Sequence, residues 1–186
     1  MSTPSPREAL LQRAVAYFVA HGVGDTSLRT LASEIGTSHR MLIYHFGSRE
    51  GLLTAVVVHI WKRQQAVLEA LTDASPTRPR ENAWQLWQTL VNSGATALIF
   101  ELSAPAMQGA PWAESFREGV ATWLERIGGY LTAAGADPER AEVLARMGMA
   151  VVRGALWELG ITGDREAADR TIRTFLDDLW PAGPVG

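Results

Sequence analysis

The chain has 186 residues, no cysteine and a formal net charge of −3. A chain of this length can bury roughly 70% of its unfolded surface, so a core forms without staples, while a disulfide scaffold, a thiol nucleophile and any Cys-built zinc site are excluded. No apolar run nears the ~20 residues of a membrane span, and Met1 to Pro6 has neither a basic head nor an apolar stretch; a cytoplasmic protein without membrane contact is the expectation.

Taken in chain order, the punctuation marks helices. Ser5 caps a first helix that opens on Pro6, carries Glu8 in its first turn and has Leu10, Ala14, Tyr17 and Phe18 at helical spacing before His21 and Gly22 stop it. Ser27 caps a second, of about eight residues, with Leu28, Leu31, Ala32 and Ile35 on one side and Gly36 at its end. Thr37 and Ser38 cap a third, His39 to His45, whose Leu42 faces inward together with Phe46. Gly47 breaks it, and Ser48 caps a long fourth helix from about Arg49 to Leu71. A Pro- and Ser-rich linker, Asp73 to Arg80, follows. Beyond it, helical segments are expected near 81–102, 113–134, 138–160 and 165–180, with Asp137 and Asp164 as starts, Gly160 and Pro181 as stops, and a loop over Ser103 to Pro111. No stretch alternates with period two for long enough to make a strand, and the fold class is all-α.

Charge and aromatics divide the chain unevenly. Up to Arg63 there are seven Lys/Arg against four Asp/Glu and all four histidines; after it, ten against sixteen and six of the seven tryptophans. A mildly basic head on an acidic, tryptophan-rich body suits a nucleic-acid reader attached to a binding or dimerising body.

Residues 27–46 form the strongest motif. Two short helices joined by a tight turn at Gly36 and Thr37 make a helix-turn-helix. In such a unit the second helix must stand proud, so that its first residues reach base edges in the major groove. Those residues are Thr37, Ser38, His39, Arg40 and Met41. Arg40 suits a bidentate contact to guanine, and Met41 an apolar contact to a thymine methyl. Tyr44, His45, Ser48 and Arg49 lie at the far end, where hydroxyls, an imidazole and a guanidinium suit phosphate. Pattern alone also allows three short helices forming an ordinary bundle corner. Against that, the exposed edge of the third helix is polar or basic where a packed helix would be apolar.

Leu10, Ala14, Phe18, Gly22, Thr26 to Leu28, Leu31, Ala32, Gly36 to Ser38, Tyr44 to Phe46 and Ser48 to Leu53 resemble the N-terminal DNA-binding domain of the tetracycline-repressor (TetR) family of bacterial regulators. The resemblance covers about residues 7–54; the remainder matches in length, helicity and position. It implies a head over 1–47 and a helical effector-binding and dimerisation body over 48–186, joined by the long helix. Three departures stand out. Ile43 occupies the place where the family usually has a tyrosine, with Tyr44 next to it; Arg49 replaces the usual lysine; and Arg40 and Met41 replace small residues, which points to a distinct operator sequence.

The resemblance further implies a homodimer through the last two helices. The sequence offers stripes for it: Ala141, Ala145, Gly148, Val152, Ala155 and Leu159 at spacing four, three, four, three, four, and Ile172, Phe175, Leu176 and Leu179. Both stripes could equally pack inside one chain. For a small-molecule effector, Trp84, Trp87, Phe100, Met107, Trp112, Phe116, Trp123, Met147 and Trp157 are the candidate lining, with Tyr130 adding aromatic surface and Glu101, Glu158 or His59 as polar anchors. The same rings could fill a core.

The expected function is a ligand-responsive regulator that binds double-stranded operator DNA, most simply a repressor released by a small apolar or aromatic effector. Activation is compatible with the same chemistry. No catalytic residue, metal site or cofactor is expected, since neither a His-Glu-x-x-His run, a phosphate loop nor a Gly-x-Ser-x-Gly elbow occurs. The alternative is a helical small-molecule-binding or interaction module whose head is vestigial.

Overall fold

The computed structural model describes residues 4–74 and 78–179, and among these every regular element is an α-helix. Local capping chemistry sets the first four. Ser5 Oγ accepts the Glu8 amide at 3.2 Å and starts α1 (Pro6–His21), which Gly22 ends at φ 74°, its amide returning to Phe18 O. Ser27 Oγ accepts the Thr30 amide and starts α2 (Leu28–Glu34); Ser38 Oγ accepts the Met41 amide and starts α3 (His39–Phe46). Ser48 Oγ accepts the Gly51 amide at 3.0 Å at the start of α4 (Arg49–Ala74). The turn into α4 is so tight that a Cβ at Gly51 would stand 2.1 Å from Phe46 O.

The single helix expected over 81–102 is two, α5 (Pro79–Asn92) and α6 (Thr96–Met107). Gly94, at φ 67°, breaks the run, and the Ser93 hydroxyl accepts the Ala95 amide across the break. The loop expected from Ser103 to Pro111 is correspondingly short. α6 runs through Pro105, which has no N–H to return to the preceding turn, and continues to Met107. Then come α7 (Ala113–Ala133), α8 (Pro138–Thr162) and α9 (Arg165–Leu179). Asp137 caps α8, and Gly163 in the left-handed region closes it. Trp180, Pro181 (the expected stop of the last helix) and residues 75–77 of the linker lie outside the described residues.

The helices group into two compact units. The first comprises the chain up to Lys62 together with Ala97–Gly119, so it takes half of α4 and nearly all of α6 beyond the 1–47 expected for the head. Its core explains the extension. Leu52, Leu53, Val56 and Val57 of α4 and Leu98 and Leu102 of α6 are buried with Ala14 and Phe18 of α1, Leu31 of α2 and Leu42 of α3. Each of these Val, Leu and Phe side chains contributes about 2 kcal/mol of burial. Trp61 meets Phe116 edge-on at 6.1 Å, and α7 passes so close that a Cβ at Gly119 would stand 2.4 Å from the Trp61 ring.

The second unit holds Arg63–Thr96 and the chain from Val120 on. α9 packs against both α8 and α5, burying Ala168, Ile172 and Leu176. Polar pairs pin it to α5: Trp87 Nε1 donates to Asp169 Oδ1 at 2.6 Å, Arg165 donates to Gln88 Oε1 at 2.7 Å, and Arg80 Nε donates to Asp177 at 2.8 Å. Arg173 lies over the Trp84 ring, 4.1 Å from its centroid.

Both stripes expected to form the dimer seam are turned into this unit. Ala141, Ala145 and Ala155 are buried and Gly148, Val152 and Leu159 half-buried, while on α9 Ile172 and Leu176 are buried and Phe175 and Leu179 half-buried. Small residues on α8 let α9 approach within the chain. A second stripe on α8, two residues out of register with the first, faces outward: Val143, Met147, Ala150, Gly154, Trp157 (58% exposed) and Ile161 (71%). A helix apolar on two faces is built to lie between two layers.

Candidate nucleic-acid interface

The second helix of the helix-turn-helix, α3, is anchored from below by Leu42 and Phe46 and held at both ends. At its entry, Arg13 of α1 donates to Ile35 O at 2.7 Å, and the Thr37 amide donates to Ala32 O, so the turn between α2 and α3 is tied to α1. At its exit, Arg7 Nε donates to His45 O at 3.3 Å and the guanidinium lies 5.1 Å from the Phe46 ring centroid. A cation there also complements the negative end of the helix. Arg7 and Arg13 carry no motif signal of their own; only their basic charge in the head hinted at a role.

The nine residues expected to touch DNA separate by what they already bond. His39, Arg40, Met41 and Tyr44 are exposed, Tyr44 at 78%, and Ile43 joins them at the surface. Ser38 caps α3 and Thr37 is half-buried in the turn. His45 is half-buried, its Nε2 enclosed without a hydrogen-bond partner and its ring 4.9 Å from that of Tyr44. Ser48 and Arg49, expected at phosphate, are used inside the head. The Ser48 hydroxyl holds Gly51, while Arg49 Nε and Nη2 donate to Thr26 O at 3.0 Å and Gly24 O at 2.6 Å. Glu50 completes that corner. Its own backbone N–H, the Ser48 hydroxyl and the neighbouring Arg49 charge outweigh desolvation and hold its carboxyl below the usual range, so the α4 start already carries an anion.

The nine candidate effector residues do not share one unit. Phe100, Met107, Trp112 and Phe116 belong to the first; Trp84, Trp87, Trp123, Met147 and Trp157 to the second. Two are committed to cores with their indole N–H bonded inside: Trp87, 1% exposed, to Asp169, and Trp112 to Leu102 O at 2.9 Å. Met107 is exposed, and Met147 and Trp157 lie on the outward stripe of α8. In the first unit Val57, Ile60, Trp61, Ile99, Leu102 and Phe116 surround a shallow apolar recess with no room for a water molecule. Trp61, Ile99 and Leu102 were not singled out by sequence, because an aromatic or aliphatic residue in an amphipathic helix reads the same whether it lines a space or fills a core. Of the polar anchors, Glu101 is taken by the head. Its carboxylate accepts the Val23 amide at 2.9 and 3.0 Å and the Gly24 amide at 2.8 Å. Glu158 is exposed on α8. Burial pushes the Arg153 guanidinium of α8 down from its ordinary value, which marks a desolvated cation in the second unit.

Residues 10–56 match the family model of bacterial regulatory proteins of the tetR family. The head is a TetR-family helix-turn-helix domain. The TetR fold also extends over the rest of the chain. The structure of a TetR transcriptional regulator from Legionella pneumophila superposes with a TM-score of 0.80 at 22% identity, covering 96% of this chain and 99% of that one. A transcriptional regulator from Rhodococcus sp. Rha1 superposes with a TM-score of 0.78 at 17% identity, covering 94% and 95%. Salmonella enterica GusR gives 0.65 at 23% identity, covering 96% and 97%. No curated protein sequence matches. Among the described residues, no helix of this TetR-fold chain is long and apolar enough to cross a membrane.

Proposed function

We propose that this protein is a homodimeric, ligand-responsive operator-binding regulator, acting as a repressor that a small apolar effector releases. The observation that carries the reading is the outward side of α3, where His39, Arg40, Met41 and Tyr44 stand exposed on a helix whose backbone is pinned at both ends. Arg40 reads guanine and Met41 a thymine methyl, with Tyr44 and the Thr37–Ser38 turn at the backbone. A single copy reads one half-site. Two heads must stand about 34 Å apart to enter successive major grooves, and the outward stripe of α8 from Val143 to Ile161 is the seam on which a second copy packs. The open space around a Cβ at Gly154, in the middle of that stripe, suits close approach of a second helix.

The effector site is supported by the apolar recess bounded by Trp61 and Phe116. It has no room even for a water molecule, so an effector needing the about 300–1,000 Å³ of ordinary ligand pockets must spread α4, α6 and α7 to enter there, which is a direct way to act on the head. A hundredfold release requires a difference of about 3 kcal/mol in effector affinity between the two states.

In-vitro selection of random duplexes by the purified protein tests this reading. The expected result is an enriched inverted repeat whose binding weakens steeply with salt, together with a dimer by light scattering that Trp157→Glu converts to a monomer. No enrichment from folded protein at low salt, even with effector candidates added, would leave a helical binding module with a vestigial head.

A further inference from the structure

The six residues between α1 and α2 form a turn held from two sides by residues far away in sequence. Arg49, at the start of α4, donates to the carbonyls of Gly24 and Thr26. Glu101, in the middle of α6, accepts the amides of Val23 and Gly24 across 78 and 77 residues of chain. Gly22, at φ 74°, gives Glu101 its access; a Cβ there would stand 3.2 Å from Glu101 Oε2. The turn leads directly into Ser27, the cap of α2, and α2 carries the turn that delivers α3.

We propose that Glu101 is a positioning residue for DNA reading: a carboxylate latch that fixes the α1–α2 turn to α6 and so sets where the helix-turn-helix stands. Three charge-assisted bonds to two backbone amides are stronger than neutral ones, and they act on backbone, which cannot repack as a side chain can. The latch makes α6 part of the reading head, in keeping with its place in the first compact unit. Without the carboxylate, the Val23 amide loses its acceptor in a part-buried bond and the turn is free to shift. The assignment rests on the DNA-reading function proposed above.

The sign of the effect makes the latch testable. Glu101 is an anion in a domain that binds a polyanion, so on charge alone its removal strengthens DNA binding. Positioning predicts the reverse. Glu101→Gln and Glu101→Ala should bind the selected duplex about tenfold more weakly than wild type, measured well below their melting temperatures. Glu125→Gln, an exposed carboxylate of α7 in the second unit, makes the same charge change and should leave affinity unchanged or slightly raised. Equal or tighter binding by the Glu101 variants overturns the proposal, as does a lowered melting temperature with unaltered affinity. Amide exchange at Val23 and Gly24 separates the latch from the function beneath it. Exchange about tenfold faster in Glu101→Gln shows the hold on the turn. If wild-type protein selects no duplex, the functional reading fails, and unchanged exchange in that variant overturns the latch independently.

Discussion

The two compact units are held together by different kinds of bond. In the first, the polar links between elements run from a side chain to backbone: Arg7 to His45 O, Arg13 to Ile35 O, Arg49 to Gly24 O and Thr26 O, Glu101 to the Val23 and Gly24 amides, Trp112 to Leu102 O. In the second, apart from Thr96 Oγ1 donating to Leu90 O, those described run from side chain to side chain: Trp87 to Asp169, Arg165 to Gln88, Asn82 to Tyr130, Arg80 to Asp177, Arg126 to Glu69. The contrast has a mechanical meaning. A backbone pin fixes where a helix begins and points, which a surface meant to match a groove requires. Paired side chains hold helices side by side but can follow them through rotamer changes, which suits a unit that adjusts to a partner or ligand.

The largest expected effect breaks the head at its tightest backbone contact. Gly51→Ala places a Cβ against Phe46 O, which cannot move without displacing the end of α3, and should cost about 3 kcal/mol in a urea melt. α7 then tests both units in one helix. Gly119→Ala in the head drives a methyl into the Trp61 ring and should cost about 2 kcal/mol. Gly128→Ala, nine residues on and with nothing within 4 Å, should instead add up to about 1 kcal/mol through helix propensity. A loss at Gly128 would mean that a second chain or a ligand approaches there. Arg40→Ala sharpens the distinction between scaffold and reader. The melting temperature should stay within error, while discrimination at one base pair of the selected site falls by about 1.5 kcal/mol.

How far each unit was legible follows from the same contrast. Ser5, Ser27, Ser38 and Ser48 act within three residues of themselves, so caps, helix starts and the order of the head's helices could be read along the chain. Bonds across tens of residues leave no such mark. Nothing local distinguishes Glu101 as a latch from Glu101 as a ligand anchor, or Arg49 bound to a turn from Arg49 bound to phosphate. In the second unit the difficulty was one of phase. α8 carries two apolar stripes with identical spacing, Ala141 to Leu159 and Val143 to Ile161, and periodicity cannot say which one faces the chain's own α9. Side-chain size offered a hint: the smaller stripe is the inner one. The break at Gly94 was missed because apolar residues on both sides kept a helical rhythm, though a Ser-Gly pair is a sufficient stop.

The smallest effect concerns acid. Burial disfavours the Asp169 charge, but the Trp87 indole and the Arg165 and Arg173 cations outweigh it and hold the carboxyl below its ordinary value. A group depressed in the folded state contributes fully above its unfolded pKa of about 3.9, and the contribution disappears as pH falls through the lower folded value. Asp169→Asn keeps an acceptor for Trp87 but loses the ion pair, so it should cost under about 1 kcal/mol at pH 7 and nothing once the wild-type carboxyl is protonated in both its folded and unfolded states. Glu50 titrates with the same sign in the head, but it serves only the first turn of α4, whereas Asp169 joins α9 to α5. Melts followed by tryptophan emission between pH 6 and 3, a range set about 2 units above and 1 below that unfolded value, should therefore draw wild type and Asp169→Asn together as pH falls. A gap that did not narrow as pH fell would mean that Asp169 acts through packing around Trp87 and not through its charge, and the second unit would then be as rigidly built as the head.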